Sequence, residues 1–182
     1  MSKYLSLVLG LVLFALSAFA IREAPGAVEG TVEKIDAAAK TVVVKTADGA
    51  EHTFHFTERT AVHGEEATVA GGKATLRGLE EGSHVVVHYT EKGSSETAHE
   101  IDHVGQGGLQ AAQGTVKSVD RTGKTITIKT ADGAEQTFRV ASQTTQDAAK
   151  DVSQGAQKSA HVTVYYSEQA GHKVAHFLKK SL

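Results

Sequence analysis

Apolar and polar residues alternate in short runs along most of the chain. In residues 124–129, Ile126 and Ile128 are apolar while Thr125, Thr127 and Lys129 are polar. This is the period of two that a half-buried β-strand imposes, because successive side chains leave opposite faces of a sheet. Val42 and Val44 hold the same places earlier in the chain. Asp48-Gly49 and Asp132-Gly133 then supply turns that tolerate positive φ, which predicts two hairpins. Beyond the turns, Phe54 and Phe56 in one half, and Phe138 and Val140 in the other, read as inward-facing. A fourth strand carries Val85, Val87 and Tyr89, answered by Val162, Val164 and Tyr166. The first strand breaks alternation twice in the same way. Val32 and Ile35 are three apart, as are Val116 and Val119, which predicts a β-bulge of the kind that lets a strand curl into a barrel. Residues 146–158 place Ala148, Val152 and Ala156 at helical spacing, while the matching stretch of the first half is Gly-rich and loop-like.

These parallels are a duplication. Over residues 30–54 against 114–138, 15 of 25 positions are identical, including the block TADGAE at 46–51 and 130–135. HVVVHY at 84–89 answers HVTVYY at 161–166. Three curled strands, a helix or loop, then two strands predict an all-β chain with a short helix. The expected fold is two tandem five-stranded OB-like small β-barrels behind a signal peptide. The expected boundaries are 1–20 for the signal, 27–104 for the first barrel, 105–113 for a Gly/Gln-rich linker and 114–180 for the second barrel. The run GTV…D…KTVVVKTADGAEHTFHF followed by LRGLEEGSHVVVHY resembles the bacterial exported "domain of unknown function 5666" family. That resemblance implies small OB-like barrels, often in tandem behind a signal peptide, and implies no activity. The second copy lacks the GLxxG element and has residues 153–160 in its place.

The N-terminus adds a compartment. Lys3, an apolar run over residues 5–19 and Ala18-Phe19-Ala20 make a secretory signal with a small-x-small cleavage site. The expected location is therefore the periplasm or cell envelope, with membrane contact only if the segment stays uncleaved as an anchor. The chain has no Cys, which excludes disulfide staples and thiolate metal sites.

Charge matters once divided. Residues 21–110 hold 8 basic and 15 acidic residues, a formal −7, whereas residues 111–182 hold 10 basic and 6 acidic, a formal +4. The two copies should therefore attract at neutral pH and loosen in acid or high salt. Seven of the ten His lie in the acidic first copy. Imidazole beside carboxylate suits Zn, Cu or Ni. The candidate ligands are His55, His84, His88, His99 and His103. Alternation sends His55, His84 and His88 outward, while His99 and His103 share parity with the apolar Ile101. His84 and His88 stand about 13 Å apart along one strand, so they need a neighbouring strand to complete a site. No HExxH, GxSxG or phosphate-loop motif is present, and the acid pairs Glu65-Glu66 and Glu80-Glu81 fall in loops. Nucleic acid is not an expected partner, given export, a negative net charge and few aromatic residues. The reading that follows is a non-catalytic exported tandem β-barrel, a binding or adaptor module without cofactor. Its partner would be an envelope protein or polymer. The alternative is a metal-binding or pH-responsive protein using the His of the first copy.

Overall fold

A computed structural model describes residues 24–64, 76, 78–122, 124–140 and 159–180, and over these it consists of eleven β-strands without a helix. The expected signal at 1–20 and helix at 146–158 lie outside the described residues. The first copy comprises β1 (Ala24–Asp36), β2 (Thr41–Lys45), β3 (Glu51–His55), β4 (Ala61–His63), β5 (His84–Lys92) and β6 (Ser95–His103). The second comprises β7 (Gln110–Asp120), β8 (Thr125–Lys129), β9 (Glu135–Val140), β10 (His161–Gln169) and β11 (His172–Lys180).

In each copy three antiparallel strands form a meander, and the long first strand also pairs with the fourth main strand. The last strand then returns parallel to the third. In the first copy β6 meets β3 at Phe54↔Glu96 and His55↔Thr97. In the second, β11 meets β9 at Val174↔Arg139 and Ala175↔Val140, closing a five-stranded barrel. The expected bulges are present, between Val32 and Lys34 and between Val116 and Ser118. Gly49 and Gly133 take φ of +87° and +86°, the conformation their hairpins need.

Each barrel has its own core. Val32, Val42, Val44, Phe54, Val85, Val87 and Ile101 fill the first, and Val116, Ile126, Ile128, Phe138, Val162 and Val164 the second. Phe56 is buried as expected, whereas Val140 is only half-buried at the end of β9. The stretch expected to be a linker is short and structured. β7 begins at Gln110, and the residues before it form a tight turn in which Leu109 N–H donates to His103 O (2.7 Å) and Gly105 N–H to Leu109 O (2.8 Å). Leu109 is buried.

β4 has only three residues, and it decides where the chemistry lies. β6 uses one edge for β5 and its other edge twice: first for β3, then for β4, which runs parallel to it at Ala61↔Glu100, Val62↔Ile101 and His63↔Asp102.

Candidate metal centre

On β4, β5 and β6 the residues Val62, Val85, Val87 and Ile101 point into the first core. Strict alternation then turns their neighbours outward: Val86 and His88 on β5, Glu100 and Asp102 on β6, and His63 on β4. The register sets these side by side, with Val86 opposite Asp102, His88 opposite Glu100 and His63 opposite Asp102. An outward face is ordinarily wet. Here the second barrel covers it. Val86 joins Leu109, Tyr165 and Phe177 in a small apolar cluster between the copies, flanked by Ala27 and Val104. His88 and Asp102 are thereby 7% and 1% exposed.

His63, Glu100 and Asp102 converge, their ligand atoms all within 4.8 Å of one another. His63 Nδ1 lies 2.9 Å from Asp102 Oδ1 and 3.0 Å from Glu100 Oε1, so it carries the proton and donates to the carboxylates. The hydrogen bond to Asp102 raises the His63 pKa against the opposing effect of burial. Burial raises the Glu100 pKa, and the negative charge of Asp102 raises it further. Two carboxylates share a partly dry site with one imidazole whose side chain is 57% exposed.

Further in, hydrogen bonding is incomplete. Asp102 Oδ2 and His88 Nε2 are buried, 3.6 Å apart, and neither has a hydrogen-bond partner among the described residues. Burial pushes the His88 pKa down to about 4 despite the adjacent Asp102 charge, so the ring is neutral at pH 7 and Nε2 can offer a lone pair. A buried carboxylate oxygen and a buried imidazole nitrogen are costly to leave without partners. A cation between them would satisfy both.

A second polar group ties the barrels together. Glu29 on β1, 9% exposed at its side chain, accepts hydrogen bonds from His84 of its own barrel and from Lys179 of the other. Burial alone would raise the Glu29 pKa. The hydrogen bonds from Lys179 and His84 outweigh it and hold the pKa below the usual value. Tyr165 faces the same carboxylate, and burial with that charge pushes its pKa up to about 12. His84 meets the Tyr165 ring edge-on at 6.4 Å.

Of the five histidines expected as ligands, His88 adjoins the cluster. His55 is exposed on β3, and His84 is exposed and engaged by Glu29. His99 is exposed, with Nε2 2.8 Å from Thr90 Oγ1. Its parity with Ile101 is misleading because β6 carries a bulge: Tyr89 pairs with Ala98 and His88 with Glu100, leaving His99 as the extra residue. His103 is half-buried with Nε2 unpartnered among the described residues, packed where a Cβ on Gly64 or Gly108 would collide with it. Sequence reasoning missed His63 because a three-residue strand gives almost no periodicity to read. The acid-apolar-acid order of Glu100-Ile101-Asp102 was the available signal, since it places two carboxylates on one face of a strand.

Among solved structures the chain is similar to the Ag(I)-bound form of CusF, with a TM-score of 0.33 and 15% identity over 44% of this chain and 97% of that one. It is likewise similar to apo-CusF residues 6–88 from Escherichia coli, with a TM-score of 0.33 and 14% identity over 48% of this chain and 95% of that one. No family model matches the chain, and no curated protein sequence does. Likeness at this level says nothing about the site, whose chemistry follows from its own geometry.

Proposed function

We propose that this protein is a non-catalytic, exported binding module whose ligand is a divalent transition-metal ion, held by His63, Glu100 and Asp102 with His88 alongside. One observation carries the reading: the three-residue cluster adjoins two buried polar atoms, Asp102 Oδ2 and His88 Nε2, that lack hydrogen-bond partners among the described residues. The donor set is nitrogen and oxygen without thiolate, which suits Zn²⁺, Ni²⁺ or Cu²⁺. An ion would replace the proton that His63 now shares with the carboxylates and relieve the repulsion between Glu100 and Asp102. The apolar run at residues 5–19 and Ala18-Phe19-Ala20 support export. The ring order, in which the third strand of each copy meets the last in parallel, supports the OB-like class, as expected of the resembled family.

The test is calorimetric titration of the chelator-stripped full chain with Zn²⁺, Cu²⁺ and Ni²⁺. One equivalent should bind with sub-micromolar affinity, and Asp102→Asn or His63→Ala should weaken it by more than about 10-fold, the least that losing a supporting residue costs a metal site. Wild-type protein that binds none of the three ions would overturn the reading.

A further inference from the structure

The duplication places a histidine at the bulge of each barrel's last strand, and their surroundings differ. In the first copy the register skips His99 between Ala98 and Glu100. In the second it skips His176 between Ala175 and Phe177. Both rings are tethered alike, His99 Nε2 at 2.8 Å from Thr90 Oγ1 and His176 Nε2 at 2.9 Å from Ser167 Oγ. There the likeness ends. His99 is exposed, whereas His176 is half-buried on the seam, and its Nδ1 is fully covered without a hydrogen-bond partner among the described residues. Phe177, the next residue of β11, packs with Val86, which stands opposite Asp102 on β6, so β11 runs beside the first-barrel cluster. The charges of Asp102 and His63 act on His176 across the seam.

We infer that His176 Nδ1 is a ligand donated by the second barrel to the ion held by the first, so that metal binding clasps the two barrels together. This rests on the metal-binding reading above. Ser167 would then play the outer-sphere part, fixing the ring through Nε2 while Nδ1 faces the ion. The ligand atoms of His63, Glu100 and Asp102 already lie within 4.8 Å of one another, and nitrogen from β11 drawn to an ion there would complete a set that neither barrel holds alone. The orphaned atoms fit this account: His88 Nε2, Asp102 Oδ2 and His176 Nδ1 come from both sides of one seam and all lack partners among the described residues. The neighbouring Glu29–Lys179 contact holds the barrels in register before any ion arrives.

The test compares full-length wild type with His176→Ala, His176→Gln and His99→Ala. Losing an outer-sphere partner costs a metal site about 10- to 100-fold, so losing an imidazole ligand should cost at least about 100-fold in Zn²⁺ affinity. His176→Gln, which keeps the side-chain bulk and a polar end for Ser167, should show the same loss in a chain whose circular dichroism is unchanged. His99→Ala should bind as wild type does. Pulsed electron paramagnetic resonance of the Cu²⁺-loaded chain should count one imidazole fewer in the His176 variants. Zn²⁺ should slow amide exchange in β11 as well as β4 and β6 of the wild type, and in β4 and β6 alone once His176 is replaced. Unaltered affinity and imidazole count in both His176 variants would overturn the clasp and leave the first-barrel site standing. A wild type that binds no metal would overturn both.

Discussion

His88 illustrates how far one side chain depends on what covers it. Alternation alone puts it outward on β5, a position that reads as a solvated histidine. The second barrel removes that water, and burial lowers its pKa to about 4. The consequence for the metal-free protein has a definite sign. An unfolded histidine titrates near 6.5, so between about pH 6.5 and 4 the unfolded chain holds a proton that the folded chain does not. His88 therefore contributes stability fully above pH 6.5, and this is lost as pH falls toward 4, on the order of 3 kcal/mol in all. His63 acts oppositely, since its raised pKa favours the fold below pH 6.5 and loses that contribution as pH rises through the folded value. Chemical denaturation of the chelator-treated protein between pH 7 and 4 should show an acid-side decline. His88→Gln, which cannot titrate, should flatten it, and an unchanged decline would place the acid sensitivity elsewhere. The sequence pointed to His88 as a ligand candidate through its residue type. His63 shares that residue type but stands on a strand too short to read, and nothing in the sequence marks the depth of Asp102, because both depend on contacts between strands far apart in the chain.

At the level of the element, most of the architecture was legible. Val42/Val44, Ile126/Ile128 and the Asp-Gly turns identify their strands and hairpins, and the repeated three-residue step at Val32–Ile35 marks a real bulge. β4 escaped notice, being too short for a period and paired in parallel with residues 39 positions further on, as His63 is with Asp102. A turn glycine and a strand glycine separate two kinds of constraint. Gly49 has φ of +87° with open space where a Cβ would stand, so Gly49→Ala costs backbone strain alone, about 1 kcal/mol. Gly30 sits where β1 is crowded by β2. A Cβ there would collide with Lys45 O and lie 2.8 Å from a Val44 methyl, and a backbone carbonyl cannot rotate away. Gly30→Ala should therefore cost more than Gly49→Ala, roughly 1–3 kcal/mol of overpacking by urea denaturation. Equal losses would mean that β1 and β2 separate easily, against the tight pairing their register shows.

For the whole molecule, the duplication could be read from the sequence but the docking could not. Outward residues of one strand look solvent-facing, whether or not a second domain lies over them. Val86, apolar between His84 and His88, was the faint exception, with Tyr165 and Phe177 its counterparts in the other barrel. The opposite charges of the two halves suggested attraction that salt would dissolve. The seam argues for a more local cause. Fields between surface charges fade over about 10 Å at 0.1 M salt, whereas Glu29 and Lys179 are in contact and the adjoining cluster of Val86, Leu109, Tyr165 and Phe177 is apolar. Docking in the metal-free protein should then survive moderate salt and fail when the contact is reversed. Lys179→Glu sets two carboxylates against each other in a half-dry site, and Glu29→Lys sets two ammonium groups together with His84. Each should enlarge the radius of gyration by small-angle scattering. The double exchange should recover part of the compact form, though not all, because Glu29→Lys leaves His84 facing an ammonium group where a carboxylate had accepted its hydrogen bond. A coupling of about 1–3 kcal/mol between the two positions is the expected size for a charged hydrogen bond of this kind. If the double exchange were as open as the single ones, the pair would be a bystander. If all three stayed compact, the apolar cluster would be holding the barrels without it.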